Sequence, residues 1–355
     1  METRTLGKTG LKVGVIGLGT EHLIEDRTNM DAVIGMGVES GANYVDLVGN
    51  DPSGAFAEYW QAIGPAIRRH RERLVLALHW GFIFHEPIDG CQRSFDEALS
   101  LVGNGYTDIA MVSMVDTESL WQDWAREGIE RLSQYQRDGR IGFIGVSGHN
   151  ATVAVTAVES GLVDVIMFPV NLYQHHADPE RQALLRACAK HRVGFVAMKP
   201  YYGGRLLRTR KQDRGISTTR CLHYVLSQQV HCVVPGPRDA EQFDETLAYL
   251  RSSHDDRAYE PLQAELRERL RGQCVLCRHC LPCPAGIPIP RIIDYLEWSE
   301  YYGPSHQQLA REWYASLEAK GSDCTECEVC LERCPFDVDV IGKMHRAAEV
   351  FERSG

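Results

Sequence analysis

Eight short apolar runs alternating with amphipathic stretches over residues 11–252 predict a (β/α)8 TIM barrel, and cysteines crowded after residue 270 predict a small second domain. The chain has 355 residues, long enough to bury a sizeable core in one domain or two. With 44% hydrophobic and 24% charged residues it has an ordinary globular balance, which excludes disordered, collagen-like and repeat classes. A net charge of −10 offers no basic face for nucleic acid. No run of eighteen apolar residues occurs, and the opening METRTLGKTG has no signal-peptide core, so a soluble, cytoplasmic protein without membrane insertion is expected.

The candidate strands are Val13–Leu18, Tyr44–Val48, Leu74–Trp80, Asp108–Met114, Phe143–Ser147, Val165–Asn171, Gly194–Pro200 and Cys232–Gly236. They are rich in Val and Ile and apolar on both faces, as parallel strands covered by helices must be. Helix-like segments between them include Ala55–His70, Phe95–Val102, Leu120–Arg137, Pro179–His191 and Thr218–Ser227. A doubly wound open sheet is the competing architecture, but no dinucleotide fingerprint supports it. The glycines of Gly14-Val-Ile-Gly17-Leu-Gly19 have the wrong spacing for G-x-G-x-x-G.

After Arg251 the texture changes. Residues 253–260 read as a polar linker, Pro261–Arg271 as a charged helix, and Ile289–Trp298 and Gln307–Ala319 as helices of a domain spanning 261–355. Eight of the twelve cysteines lie there, in two runs. The first is Cys274-x2-Cys277-x2-Cys280-x2-Cys283-Pro284 and the second Cys324-x2-Cys327-x2-Cys330-x3-Cys334-Pro335. The second matches the C-x2-C-x2-C-x3-C-P run of bacterial ferredoxins, and the first is one residue shorter in its last gap. Three thiolates at these spacings can hold three corners of a cubane. In two-cluster ferredoxins the fourth comes from the other run. The expectation is therefore a helical ferredoxin-like domain with two [4Fe-4S] clusters. One lies on Cys274, Cys277, Cys280 and Cys334, the other on Cys324, Cys327, Cys330 and Cys283. Structural zinc is the alternative, although zinc normally takes paired C-x2-C knuckles. Arg267, Arg269, Arg271 and Arg278 either dock an acidic electron carrier or form a solvated face.

The barrel resembles the aldo/keto reductase family. The resemblance rests on Arg4-Thr-Leu-Gly-Lys-Thr-Gly-Leu-Lys-Val, Gly17-Leu-Gly-Thr20, Gly41-Ala-Asn-Tyr-Val-Asp46, Ile141-Gly-Phe-Ile-Gly-Val-Ser147 and Val233-Val-Pro-Gly236. Ala197-Met-Lys-Pro200 and the cysteine-rich tail resemble the family's iron–sulfur subgroup. The family reduces carbonyls with NAD(P)H through an Asp, Tyr, Lys and His at the barrel mouth. The resemblance places Asp46 at the Asp, Asp51 where Tyr is expected, His79 at the Lys and Ser113 at the His. At the nicotinamide positions it keeps Ser147 but places Gly148 and Met167 beside it, with Met198 at the stacking aromatic. Gly236 and Gln242 stand at the 2′-phosphate positions, where Arg238 is a substitute cation and NADH needs none.

Polar residues expected at the mouth are Asp46, Asp51, His79, Ser113, His149, Asn171 and Lys199, with Trp80 and Tyr173 as walls. His79 with Asp46 reads as an acid–base pair or as a hydrogen-bonded core histidine. Lys199 reads as an anion ligand, a modulator of a neighbour's pKa or a structural salt-bridge partner. Asp51 lies in Gly49-Asn-Asp-Pro-Ser-Gly54, which turn chemistry explains. His175, His176 and Asp178 lack a third ligand at suitable spacing, and Trp121 with Trp124 reads as packing. The leading expectation is an iron–sulfur reductase of a small organic molecule, fed single electrons by a ferredoxin-type donor. Cofactor-binding candidates in the barrel are Ser147, Asn171 and Arg238. The alternatives are NAD(P)H-dependent hydride transfer with a rebuilt acid, and a non-catalytic electron-transfer or binding subunit.

Overall fold

The computed structural model describes residues 1–25, 30–47, 56–81, 87–102, 104–172, 179–208, 216–260, 262, 271–274, 276, 279–301 and 304–352. The chain divides into two compact units, one of residues 1–175 and 179–259, the other of residues 176–178 and 260–355. Among the described residues no helix is long and apolar enough to cross a membrane.

The first unit opens with an antiparallel hairpin, β1 (Thr3–Thr5) and β2 (Lys12–Gly14). Eight parallel strands follow: β3 (Leu18–Gly19), β4 (Tyr44–Leu47), β5 (Val75–Trp80), β6 (Thr107–Val112), β7 (Ile141–Ser147), β8 (Val165–Pro169), β9 (Gly194–Met198) and β10 (Cys232–Val234). Each pairs with the next in chain order. A bridge from Ile16 to Val233, with Gly17 N–H donating to Val233 O at 2.9 Å, joins the ends. The result is a (β/α)8 barrel. Its described helices are α1 (Met30–Ser40), α2 (Ala57–His70), α3 (Ile88–Leu101), α4 (Arg126–Arg137), α5 (Ala151–Glu159), α6 (Pro179–His191), α7 (Arg205–Arg208), α8 (Thr218–Leu226), α9 (Ala240–Leu247) and α10 (His254–Arg257).

Val13–Leu18, expected as one strand, is divided between hairpin and barrel. The chain turns because Gly14 and Gly17 pass against other backbone. A Cβ on Gly14 would lie 2.4 Å from Gly41 O, and one on Gly17 2.8 Å from Tyr44 O. The glycine-rich opening thus serves backbone packing. Leu120–Arg137 begins as a π-helical turn over Leu120–Ala125 before α4. The stretch expected as linker contains α10, closed by a Ser253–Asp256 capping box.

Leu6 and Val13 from the hairpin are fully buried in one cluster with inward-facing Tyr44, Val75, Ala77, Ile109, Met111, Val165, Met167, Val196 and Cys232. Lys8 bridges to Asp164 at 3.1 Å and its N–H donates to Arg192 O at 2.6 Å. The hairpin therefore fills the N-terminal end of the barrel. The strand period of two then carries the inward positions of β4, β5, β6 and β7 up to Asp46, His79, Ser113 and Ser147 at the opposite end.

At the barrel's lower edge His231 Nδ1 accepts from Phe195 N–H at 3.0 Å. Burial pushes its pKa below the ordinary histidine value, and nearby Arg4 acts in the same direction. The folded chain then refuses a proton that the unfolded chain accepts below about pH 6.5. Stability present above that pH is lost as pH falls toward the depressed folded value. The melting temperature of His231→Gln is expected to fall less steeply than that of the parent between pH 7 and 5. Parallel slopes in a thermal scan would contradict this account.

The second unit contains α11 (Ile289–Tyr301), α12 (Pro304–Ala315), α13 (Val329–Arg333) and α14 (Val340–Phe351). Ile292, Ile293, Leu296, Tyr314, Met344 and Ala347 form its core. Most of the charged helix expected at Pro261–Arg271 lies outside the described residues.

Candidate functional site

Three of the residues expected at the mouth form one buried chain. His79 Nε2 lies 3.0 Å from Asp46 Oδ1, and His79 Nδ1 lies 2.6 Å from Ser113 Oγ. Asp46, His79 and Ser113 are 5%, 4% and 2% exposed, so bulk water is kept from all three. An ionised carboxylate only accepts, which puts a proton on Nε2 and leaves Nδ1 to accept from the Ser113 hydroxyl. If Nδ1 gains a proton, the Ser113 hydroxyl can turn to Met111 O, 3.4 Å away, and every group keeps a partner. The set can hold one extra proton without orphaning a polar atom. Both imidazole nitrogens are engaged, one by Ser113 and one by Asp46.

A second chain runs along the same end of the barrel. Lys199 Nζ lies 3.1 Å from His149 Nε2, and His149 Nδ1 lies 3.1 Å from Asp116 Oδ2. Asp116 Oδ1 also accepts the backbone N–H groups of His149 and, at 3.2 Å, Asn150. Asn150 caps α5 through its side chain. Asp116 gave no signal in the sequence beyond its place just after a strand, since 33 residues separate it from His149.

Ser147 and Arg238 join neither chain through the bonds described, and Asn171 meets the second through the Lys199 carbonyl. Ser147 Oγ accepts from Met114 N–H at 3.3 Å, and Asn171 Nδ2 donates to Lys199 O at 3.3 Å, so both side chains serve the backbone. Arg238 is exposed, with its N–H donating to Gln242 Oε1. Trp80, expected as a wall, faces away from the mouth. It neighbours His79 on a strand and so points to the other side, packing against Phe95 and Tyr135 with ring centroids at 5.3 and 6.2 Å. Trp121 is buried, and Trp124 packs over Gly81. Asp51, Tyr173, His175, His176 and Asp178 lie outside the described residues.

In the second unit Cys330 belongs to the core, with Cys274, Cys280, Cys283, Cys324 and Cys334 packed against it. Cys277 lies outside the described residues. Cys283 of the first run lines one pocket with Cys324, Cys327 and Cys330 of the second, together with Cys280. The runs are tied across their ends: Gly272 N–H donates to Phe336 O at 2.6 Å, Arg271 bridges Asp337 at 2.8 Å, and Arg333 Nη1 donates to Pro282 O at 3.0 Å. Arg271 is thereby paired within the unit, while Arg267, Arg269 and Arg278 are not among the described residues. Leu276 and Glu326 hold the same place in the two runs and share a left-handed backbone, with φ of 57° and 53°. The Leu276 N–H points at Cys274 Sγ at 3.4 Å, and Val338 N–H at Cys334 Sγ at 3.5 Å. Burial raises the Cys330 thiol, and the neighbouring sulfurs of Cys324 and Cys327 raise it further. Thiols this close resist ionising together unless a cationic centre joins them. Among the described residues no three His, Cys, Asp or Glu side chains converge on a single metal ion.

Residues 15–220 match the family model of the aldo/keto reductases. The chain belongs to the aldo/keto reductase family. It is an oxidoreductase of that family. This aldo/keto reductase is 23% identical over 215 residues to the uncharacterised oxidoreductase YqkF of Bacillus subtilis, covering 58% of this chain and 67% of the relative. It is also 34% identical over 101 residues to an uncharacterised iron-sulfur protein of Methanocaldococcus jannaschii, covering 25% of this chain and 18% of that protein. Among solved structures, an aldo-keto reductase of Bacillus halodurans in its holo form matches with a TM-score of 0.61 at 18% identity. The match covers 74% of this chain and 96% of that one, and bears out the fold.

Proposed function

We propose that this aldo/keto reductase is an iron–sulfur oxidoreductase that reduces a small organic substrate at the barrel mouth with electrons from a ferredoxin-type donor. The observation that carries the reading is the pocket in which Cys283 meets Cys324, Cys327 and Cys330, the exchange of a fourth ligand expected of two-cluster ferredoxins. Cys274, Cys277, Cys280 and Cys334 would hold the second cluster. The iron-sulfur relative from Methanocaldococcus adds support. Bound at these cysteines, two [4Fe-4S] clusters would supply electrons one at a time. The backbone N–H groups aimed at Cys274 and Cys334 Sγ would stabilise charge on those sulfurs.

The protein's own part is to manage protons. Reduction of a carbonyl or an alkene takes up two protons with two electrons. With the set carrying its extra proton, Ser113 Oγ donates one of the two to the substrate, His79 Nδ1 replaces it and Asp46 balances the charge on the imidazole, while water at the mouth supplies the second. Burial of all three keeps the proton from exchanging freely with water.

Members of this family typically use NAD(P)H. The residues expected to hold it here do not fit well: Ser147 and Asn171 are bonded to backbone, and Arg238 is exposed. Anaerobic titration of the iron-loaded chain with NADH and NADPH, read by calorimetry, is expected to give no binding at millimolar cofactor. Tight binding of either would overturn the single-electron reading in favour of hydride transfer with a rebuilt acid.

A further inference from the structure

The chain Lys199–His149–Asp116 takes no part in the proton handling assigned to Ser113, His79 and Asp46. We propose that Lys199 is a nucleophilic amine that captures a small aldehyde or ketone as an imine, with His149 as the base that takes its proton. This deepens the reading of the mouth as the substrate site by giving a carbonyl compound a covalent anchor there, and it is independent of the clusters.

A lysine attacks a carbonyl only after losing a proton. The recognisable arrangement is a nucleophile within hydrogen-bond reach of a base whose far side is fixed by a third group. Lys199 Nζ to His149 Nε2 is 3.1 Å, and His149 Nδ1 to Asp116 Oδ2 is 3.1 Å. Asp116 is itself fixed by the N–H groups of His149 and Asn150. Its carboxylate keeps the ring proton on Nδ1, so the Nε2 lone pair faces Lys199. Lys199 also has a left-handed backbone, φ 54°, costly for a residue with a Cβ. Its carbonyl is held there by Asn171 Nδ2 at 3.3 Å and Tyr202 N–H at 3.0 Å. Lys199 follows β9 at the end of the barrel where active sites of this fold are built.

In the step, Nζ gives a proton to His149 Nε2 and bonds to the carbonyl carbon while the C=O π bond opens. The carbonyl oxygen collects two protons, one through His149 and one from the attacking nitrogen, and leaves as water, giving the protonated imine. His149 ends as it began, and no oxidant or reductant is consumed.

The test incubates the full chain anaerobically with propionaldehyde and cyanoborohydride, then maps the reduced adduct by peptide mass spectrometry. Lys8, Lys12, Lys190, Lys211, Lys320 and Lys343 are internal references. Lys199 is expected to label well ahead of these, and Lys199→Arg to remove the fast phase. His149→Gln is expected to slow that phase about 10²-fold, the usual worth of a positioned base, at an unchanged melting temperature. Even labelling across the lysines, or an unchanged rate in His149→Gln, would overturn the proposal. Capture needs no electrons, so a chain that traps the aldehyde yet takes up no iron upholds this inference while sinking the electron supply.

Discussion

Cys283→Ala is expected to take away about half of the roughly eight irons that two cubanes bring, and the double variant Cys283→Ala/Cys330→Ala to remove no more. The pocket that Cys283 shares with Cys324, Cys327 and Cys330, and with Cys280 at its edge, would make Cys283 and Cys330 ligands of one cluster under the proposed exchange. If each run kept its own four cysteines, the double variant would damage both clusters and leave no intact site. Iron and acid-labile sulfide counts after anaerobic reconstitution separate the two outcomes. Metal loss is also expected to reach the fold. Cys330 is part of the core between α11 and α14, and five further cysteines pack on that core, so a cluster held by them would be a structural member of a small domain. Chelation should lower helical ellipticity in a transition separate from barrel melting. A full-length chain whose iron-free form melts as the loaded one does would refute that dependence.

His79→Ala is expected to abolish turnover and destabilise the barrel together, whereas His79→Gln should separate the two effects. Alanine leaves the Asp46 carboxylate buried without its imidazole. Removing one partner of a buried pair costs about 3–5 kcal/mol, or on the order of 10 °C in melting temperature at this domain size. A glutamine amide can still donate to Asp46 yet cannot pass a proton between Asp46 and Ser113. Its melting point should stay near that of the parent while turnover falls about 10²–10⁴-fold, the usual worth of a positioned acid–base group. Screening carbonyl and alkene compounds with reduced viologen as donor supplies the assay. Equal turnover in His79→Gln would remove the Ser113–His79–Asp46 route for protons.

The sequence spoke most clearly where chemistry imposes spacing. Cysteines that must reach the corners of one cubane repeat at fixed intervals, so both runs are visible without a structure. Asp46, His79 and Ser113 were legible because the family resemblance places them at its catalytic positions, at strand ends where a barrel of this kind builds its site. Trp80 was misplaced because expecting it at the mouth ignored the alternation that sends neighbours on a strand to opposite faces. Asp116 was missed for a different reason. It reaches His149 across a gap in the chain that no periodicity records, and the loop after β6 is as polar as any other. The break in Val13–Leu18 was hidden because an apolar run gives no hint of where backbone must crowd past Gly41 and Tyr44.

The hairpin that inserts Leu6 and Val13 among the inward side chains has a consequence for traffic. A vessel stoppered at its base has a single doorway, so whatever enters must leave by the route it came. Reactant and spent product then queue for one threshold, and a product slow to depart holds the next molecule outside.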